Sequence, residues 1–186
     1  EKRSFLDVGG NIGLSTIGFR ELGFNENKIF IFEPDTYLYK KFLFSLKKIY
    51  KNIIIYNFGL SDKSEKKNLF QAYYKNLFLH FNNSFDLKFI KKKIKENYPN
   101  KHKKFSYLKK KLKLEKFDKL KFKKEICFVK IDVEGFDHFV LKGMTKLIKK
   151  YKPVFLIEFN ISNFKIIHKL LKKDYSCYIY LFEKNR

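Results

Sequence analysis

Apolar and polar positions alternate in short blocks through the first third of the chain. Phe5-Leu6-Asp7-Val8 is a brief apolar run ended by Gly9-Gly10, the pattern of a buried strand entering a tight turn. Leu14, Ile17, Gly18 and Leu22 follow helical spacing, and Gly23 stands where a helix end needs a positive φ. Lys28-Ile29-Phe30-Ile31-Phe32 predicts a second buried strand, stopped by Glu33-Pro34, and Asp35 is placed to cap a helix reaching about Tyr50. Ile53-Ile54-Ile55-Tyr56 supplies a third strand. Strands separated by helices of this length predict parallel pairing with right-handed crossovers, because a parallel connection must return across the sheet.

Between about Ser61 and Glu125 no single period persists. Leu69 to Phe81 reads as one or two strands, and Lys88 to Tyr98 as a polar helix ended by Pro99. Order returns with a fourth strand at Ile126 to Ile131, the tetrapeptide Asp132-Val133-Glu134-Gly135 and a helix from about Phe136 to Lys150. A fifth strand is expected at Pro153 to Phe159, a helix at about Ser162 to Lys173 and a last strand at about Tyr175 to Phe182, leaving the sheet truncated at that edge. The 186 residues suit one doubly wound α/β domain over residues 1–186, with a mostly parallel sheet, helices on both faces and a lysine-rich insertion at about 61–125.

Composition adds limits. Apolar residues at 45% and aromatics at 19% give ample core. No apolar run approaches the roughly 18 to 20 residues that span a bilayer, and Glu1-Lys2-Arg3-Ser4 leads into a strand rather than a signal peptide, so the chain reads as soluble and cytoplasmic. The absence of an initiating Met suggests that sequence once preceded Glu1. Cys127 and Cys177 lie in strand-like runs without paired spacing, which predicts two buried thiols and neither disulfide nor zinc site. The formal charge of +23 would attract nucleic acid, anionic lipid or an acidic polymer. Abundant Lys, Asn, Ile, Phe and Tyr without Trp also fit the residue bias of an AT-rich genome, so composition selects no partner.

The turn Asp7-Val8-Gly9-Gly10-Asn11-Ile12-Gly13 lets backbone approach a ligand at the first strand's carboxyl end. Its glycine spacing differs from the G-x-G-x-x-G dinucleotide fingerprint, and Asp7 disfavours pyrophosphate. A carboxylate there suits the amino group of S-adenosylmethionine, directly or through water. Glu33, 20 residues beyond Gly13, stands where an acidic side chain accepts both ribose hydroxyl protons. Taken singly, the glycines fit an ordinary strand-to-helix turn and Glu33 a helix-start carboxylate; their joint spacing favours the ligand.

Phe5 to Gly13, then Phe32-Glu33-Pro34, then Lys130-Ile131-Asp132-Val133-Glu134-Gly135 with Val140-Leu141-Lys142-Gly143, resembles the FkbM family of methyltransferases in order and spacing. The resemblance runs from about Ser4 to Phe159, loosely through Asn57-Phe58-Gly59-Leu60-Ser61-Asp62 and Phe117-Asp118-Lys119-Leu120. It departs at Gly10, where the family usually has Ala, at Asp137, where Glu is usual, and at Lys119, where a second acid commonly follows Asp118. It implies a Rossmann-like class I methyltransferase that moves a methyl from S-adenosylmethionine to a hydroxyl on a sugar, glycolipid or polyketide-type acceptor. Cofactor contacts are then expected from Asp7, Gly9, Gly10, Asn11, Gly13, Glu33 and Pro34, with Asn57 or Asp62 near adenine.

Such an enzyme need only align the acceptor oxygen in line and relieve its proton. Asp132 is expected on the cofactor side and Glu134 at the acceptor, as base or clamp; a helix cap or a lysine pair is the bland reading of Glu134, and a metal at the two is a lesser alternative. His138, one turn into a helix, reads as a packed or exposed histidine, and Glu158 as pocket lining or a lysine partner. Lys88 to Lys124 holds seventeen lysines against Glu96, Glu115 and Asp118, interleaved with aromatics. An RNA-binding face has that look, as do a surface meeting anionic lipid or glycan and a solvated insertion, and lysines without arginines disfavour base reading. Two rivals therefore stand beside the small-acceptor enzyme: an RNA methyltransferase, and a cofactor-binding module without catalysis.

Overall fold

Five short apolar segments assemble into a parallel sheet. They are β1 (Ser4–Val8), β2 (Ile29–Phe32), β3 (Ile53–Tyr56), β8 (Ile126–Ile131) and β9 (Val154–Ile157), in the order β3-β2-β1-β8-β9. The computed structural model describes residues 3–159 and 161–180. Because successive side chains on a strand face opposite ways, the sheet carries two cores. Leu6, Val8, Phe30, Phe32, Val129 and Ile131 pack with Leu141 of α5 (Asp137–Gly143), Leu147 of α6 (Thr145–Tyr151) and Met144 between the two helices. On the other face Phe5, Ile29 and Ile31 meet Ile17 and Phe19 of α1 (Leu14–Glu21) and Leu43 and Leu46 of the next helical stretch. That stretch comprises α2 (Thr36–Leu38), a π turn at Tyr39–Leu43 and α3 (Phe44–Ile49), and Asp35 caps it by accepting the Tyr37 and Leu38 N–H groups at 2.7 and 3.1 Å.

The weakly periodic middle is ordered. Strands β4 (Gly59–Ser61), β5 (Glu65–Tyr74), β6 (Leu77–Ser84) and β7 (Phe105–Lys116) form a second sheet in the order β4-β7-β5-β6, and α4 (Leu87–Asn97) lies between β6 and β7 in the chain. The expected strands near 69–81 are the β5–β6 hairpin and the expected polar helix is α4. The lysine-rich β7, with ten register pairs to β5, was not foreseen as a strand. On its outer face Phe105 and Tyr107 pack with Ala72, Ile90 and Ile94, beneath α4. On its inner face Leu112 and Leu114 are buried.

Three expectations near the carboxyl end change. The helix foreseen from Phe136 to Lys150 breaks at Met144 into α5 and α6, and Gly143 packs its Cα against the Ser61 carbonyl, where a Cβ would come within 2.0 Å. Residues 175–180 adopt no regular structure, and the rest of the strand expected to Phe182 lies outside the described residues. Helix α7 (Ile161–Leu171) therefore follows β9, which is the sheet edge among the described residues. Cys127 is half-buried but Cys177 is exposed, so the pair of buried thiols is corrected to one partly buried and one open; both are free.

Asp35 fastens the second sheet to the first. Its fully buried carboxylate accepts Gln71 Nε2 at 2.6 Å and faces Lys110 Nζ at 3.2 Å, besides capping α2. Asp35→Ala should lower the unfolding free energy in urea by about 2 to 4 kcal/mol, the sum of a lost cap and an unpaired buried amide. Asp35→Asn should recover part of that loss by keeping the cap.

Candidate functional site

The turn after β1 is held from inside. Gly9 and Gly13 have φ of 81° and 91°, conformations that side chains tolerate poorly. A Cβ at Gly9 would meet the Asp132 carbonyl oxygen at 2.0 Å, and one at Gly13 would meet Leu46 Cδ1 at 2.4 Å. Gly10 likewise has Ile31 Cγ2 where its Cβ would stand. These glycines thus serve close packing of protein on protein. The loop's N–H groups are spent as well: Gly9 and Gly10 donate to the Phe32 carbonyl, Gly13 to the Gly10 carbonyl and Asn11 to Glu33 Oε2. That arrangement offers no cluster of free N–H groups for a pyrophosphate at these four positions.

Asp7 is fully buried beneath the loop. Its Oδ2 accepts the Thr16 hydroxyl at 2.9 Å and its Oδ1 lies 3.4 Å from Lys130 Nζ. Lys130, paired with Asp7 in the strand register, also donates to the Gly9 carbonyl at 2.8 Å and lies 3.5 Å from Asp132. Burial raises the Asp7 carboxyl, partly opposed by the Lys130 ammonium. Burial also works against the Lys130 charge, but Asp7 and Asp132 together outweigh it and hold that ammonium above its ordinary value. Asp7 is therefore an internal strut of the loop, and Asp132, 46% exposed at its side chain, is the member of the network that meets solvent.

Glu33 closes β2. One carboxylate oxygen accepts the Asn11 N–H at 2.9 Å and the other the Asp35 N–H at 2.8 Å. Burial raises its pKa to about 7, against the pull of these two hydrogen bonds. Pro34 packs beside Gly59, and Asn57 donates to the Glu33 carbonyl at 3.0 Å while accepting the Thr36 hydroxyl at 3.1 Å. Asn11, at φ 48°, donates from its amide to the His80 carbonyl at 3.1 Å and meets His80 Nδ1 through its oxygen at 3.0 Å. The second sheet thus reaches the glycine turn through His80, which nothing in the sequence singled out. Asp62 accepts the Ser61 hydroxyl and lies against Gly143. It sits with α5, whereas Asn11, Glu33 and Asn57 come together.

After β8 the backbone turns through left-handed geometry at Glu134 and Gly135, φ 53° and 88°. This turn brings Glu134 into a cavity of about 320 Å³ lined by Lys67, Phe85, Phe89, Phe136, His138 and Phe139 among others. Lys93 of α4 lies 2.5 Å from Glu134 Oε2. Burial raises Glu134 to about 7 despite that ammonium, with Glu158 and Asp132 adding to the shift. Burial also raises Glu158, and Asp132 adds to it. The expectation that Glu134 caps a helix or meets a lysine is half realised: Phe136 occupies the cap position without a side-chain bond, and Lys93 is the lysine. His138, read as packed or exposed, lies against Phe139 with the rings tilted and their centroids 4.0 Å apart, and lines the cavity. Burial lowers its pKa, which favours the neutral imidazole. Nothing in the sequence singled out Lys67 or Lys93, and Lys130 stood there only as a strand and motif residue; their roles come from tertiary contacts. No cluster of three or more metal-ligating side chains occurs among the described residues, and none of their helices is long and apolar enough to cross a membrane.

The family model described as the methyltransferase FkbM domain matches residues 7–177. Methyltransferase FkbM from Methylobacillus flagellatus KT has a similar solved structure, with a TM-score of 0.61 at 16% identity over 92% of this chain. The match spans 37% of that protein's length, so the likeness speaks for fold. No curated protein matches.

The buried ion network predicts a stability phenotype. Lys130→Met leaves Asp7 buried without its cation and should cost about 3 to 5 kcal/mol in urea unfolding. Adding Asp7→Asn should restore a substantial part, because the orphaned charge is then gone.

Proposed function

The chain belongs to the FkbM methyltransferase family, and from that premise we propose that it is an O-methyltransferase of the Rossmann-like class I kind, taking its methyl from S-adenosylmethionine. The observation that carries the cofactor is Glu33. Its two oxygens offer about four acceptor positions and the protein fills one on each, leaving one apiece for a vicinal diol such as ribose. The spent N–H groups of the glycine turn fit a cofactor without phosphate. In this reading Asn57 and Pro34 flank the ribose end, Asn11 and the glycines shape the turn, and Asp7 acts through Lys130 and Thr16. Asp62, beside α5, carries the adenine role less well than Asn57.

Bound S-adenosylmethionine supplies an electrophilic methyl, and in the transfer a C–O bond forms at the acceptor as the C–S bond breaks. The residues of this chain do the rest. Gly9 packs against the Asp132 carbonyl, two residues before Glu134 in the chain, so the glycine turn abuts the turn that carries Glu134. In this reading Asp132 serves the cofactor side and Glu134 the acceptor. Glu134 takes the proton from the acceptor hydroxyl, and a base with a pKa of about 7 is matched to work near neutrality. The aromatic walls suit a sugar ring or another compact hydroxylated acceptor.

A polynucleotide acceptor is less well supported. Lys109, Lys111 and Lys113 are exposed on β7, on the face opposite the one that directs Lys110 to Asp35. None of these three lysines lines the cavity. Salt-sensitive tRNA binding accompanied by methyl transfer would reverse that preference.

Calorimetric titration should show saturable S-adenosylmethionine binding, weakened about tenfold or more by Glu33→Ala, with NAD not competing. Absence of binding by the folded wild type, or preference for NAD, rejects the cofactor assignment. Turnover should rise as pH increases through about 7, because Glu134 works only when ionised. Glu134→Gln should lower kcat by about a hundredfold and remove that limb, with cofactor affinity retained.

A further inference from the structure

Lys67 reaches into the acceptor cavity from the inner face of the second sheet. Its ammonium lies 4.3 Å from the ring centroid of Phe136, 5.5 Å from Phe139 and 5.9 Å from Phe85. Three aromatic faces hold the charge in place without neutralising it. Among the described residues Lys67 takes part in no salt bridge, although two carboxylates line the same cavity. Each of those is already engaged. Asp86 accepts the Lys88 and Phe89 N–H groups at the start of α4, at 2.7 and 3.3 Å. Glu134 is paired with Lys93 at 2.5 Å. The cavity thus presents an ordered cation that makes no ion pair, beside a base already paired with a lysine.

We propose that the acceptor carries an anionic group, a carboxylate or phosphate, next to its reacting hydroxyl, and that Lys67 is the residue that reads this charge. The inference rests on the cavity being the acceptor site of the proposed methyltransferase. With the anion on Lys67, the ring stacks on the phenylalanine walls and the hydroxyl is turned toward Glu134. A neutral sugar would keep the aromatic contacts and lose the charged one, leaving Lys67 partly desolvated against the ligand.

The test uses the chain with S-adenosylmethionine present and compares glucuronic acid, glucose 6-phosphate and methyl glucoside, reading affinity by calorimetry and transfer by S-adenosylhomocysteine release. Either acid should bind roughly tenfold or more tightly than the neutral glycoside, as expected for a charge-assisted contact. The better of the two acids identifies carboxylate or phosphate as the group. Lys67→Met should abolish the preference while S-adenosylmethionine binds as in the wild type, which shows the fold intact, and Lys67→Arg should restore much of it. Equal binding of all three probes, binding of none, or tighter binding of choline than of either acid overturns the proposal. Methylation of the neutral glycoside with equal efficiency would overturn it while upholding the methyltransferase itself, and failure to bind S-adenosylmethionine would overturn both.

Discussion

Lys130 stands in the middle of a parallel sheet, on a strand whose neighbours are Val129 and Ile131, and it is tolerable there only because Asp7 is its register partner on β1. A buried pair of this kind contributes little net stability, since desolvation of both charges offsets their attraction. Its effect is on alternatives. A slip of one residue between β1 and β8 would turn Lys130 into the apolar cluster around Leu141 and Met144 and leave Asp7 buried alone. Only the observed register lets the ammonium reach Asp7, Asp132 and the Gly9 carbonyl together. The same contact fixes the ends of β1 and β8, where the glycine turn and the Glu134 turn begin.

A second constraint carries the middle of the chain. Asp35 binds Gln71 and Lys110 from adjacent strands of the second sheet while capping the helix after β2. The inner face of that sheet is thereby directed to the carboxyl ends of the first. From there it delivers His80 to Asn11, while Lys67, Ser84 and Phe85 reach the cavity. Gly143, pressed against the Ser61 carbonyl, makes the corresponding contact from α5. What reads as an insertion along the sequence supplies one wall of the cavity that holds Glu134.

This division explains which parts were legible from the amino-acid sequence. The first three strands and their helices repeat local patterns, and Gly9, Gly13 and Glu33 stand at their ends, so spacing alone exposes them. Strand β7 was hidden because lysines occupy Lys109, Lys111 and Lys113 outward and Lys110 inward, which blurs the period of two; Leu108, 46% exposed, blurs it further. Its pairing with β5 spans a hairpin and a helix, a non-local contact that no short window contains. Lys67, Lys93 and His80 were invisible for the same reason: each is ordinary in sequence and acquires its role from a partner at least 41 positions away, such as Glu134 for Lys93. The final strand failed for the opposite reason. Local apolar character at residues 175–180 suggested it, yet no described strand beyond β9 takes it into the sheet.

Glu134 deserves a purely structural explanation only if the turn needs it, and the surrounding contacts show that it does not. Left-handed geometry at a non-glycine residue costs roughly 1 kcal/mol or more. Here it is imposed by neighbours: Ser84 donates to the Glu134 carbonyl, Asn163 to the Gly135 carbonyl, and Asp137 accepts the Val133 N–H. These bonds act on the backbone and on other side chains, so glycine or asparagine at position 134 would satisfy the turn with less strain. The carboxylate instead enters a cavity where burial raises it to about 7 and one lysine steadies it. A side chain that is dispensable to the turn, held against local preference and raised toward neutrality, is the arrangement expected of a group that exchanges a proton with a ligand.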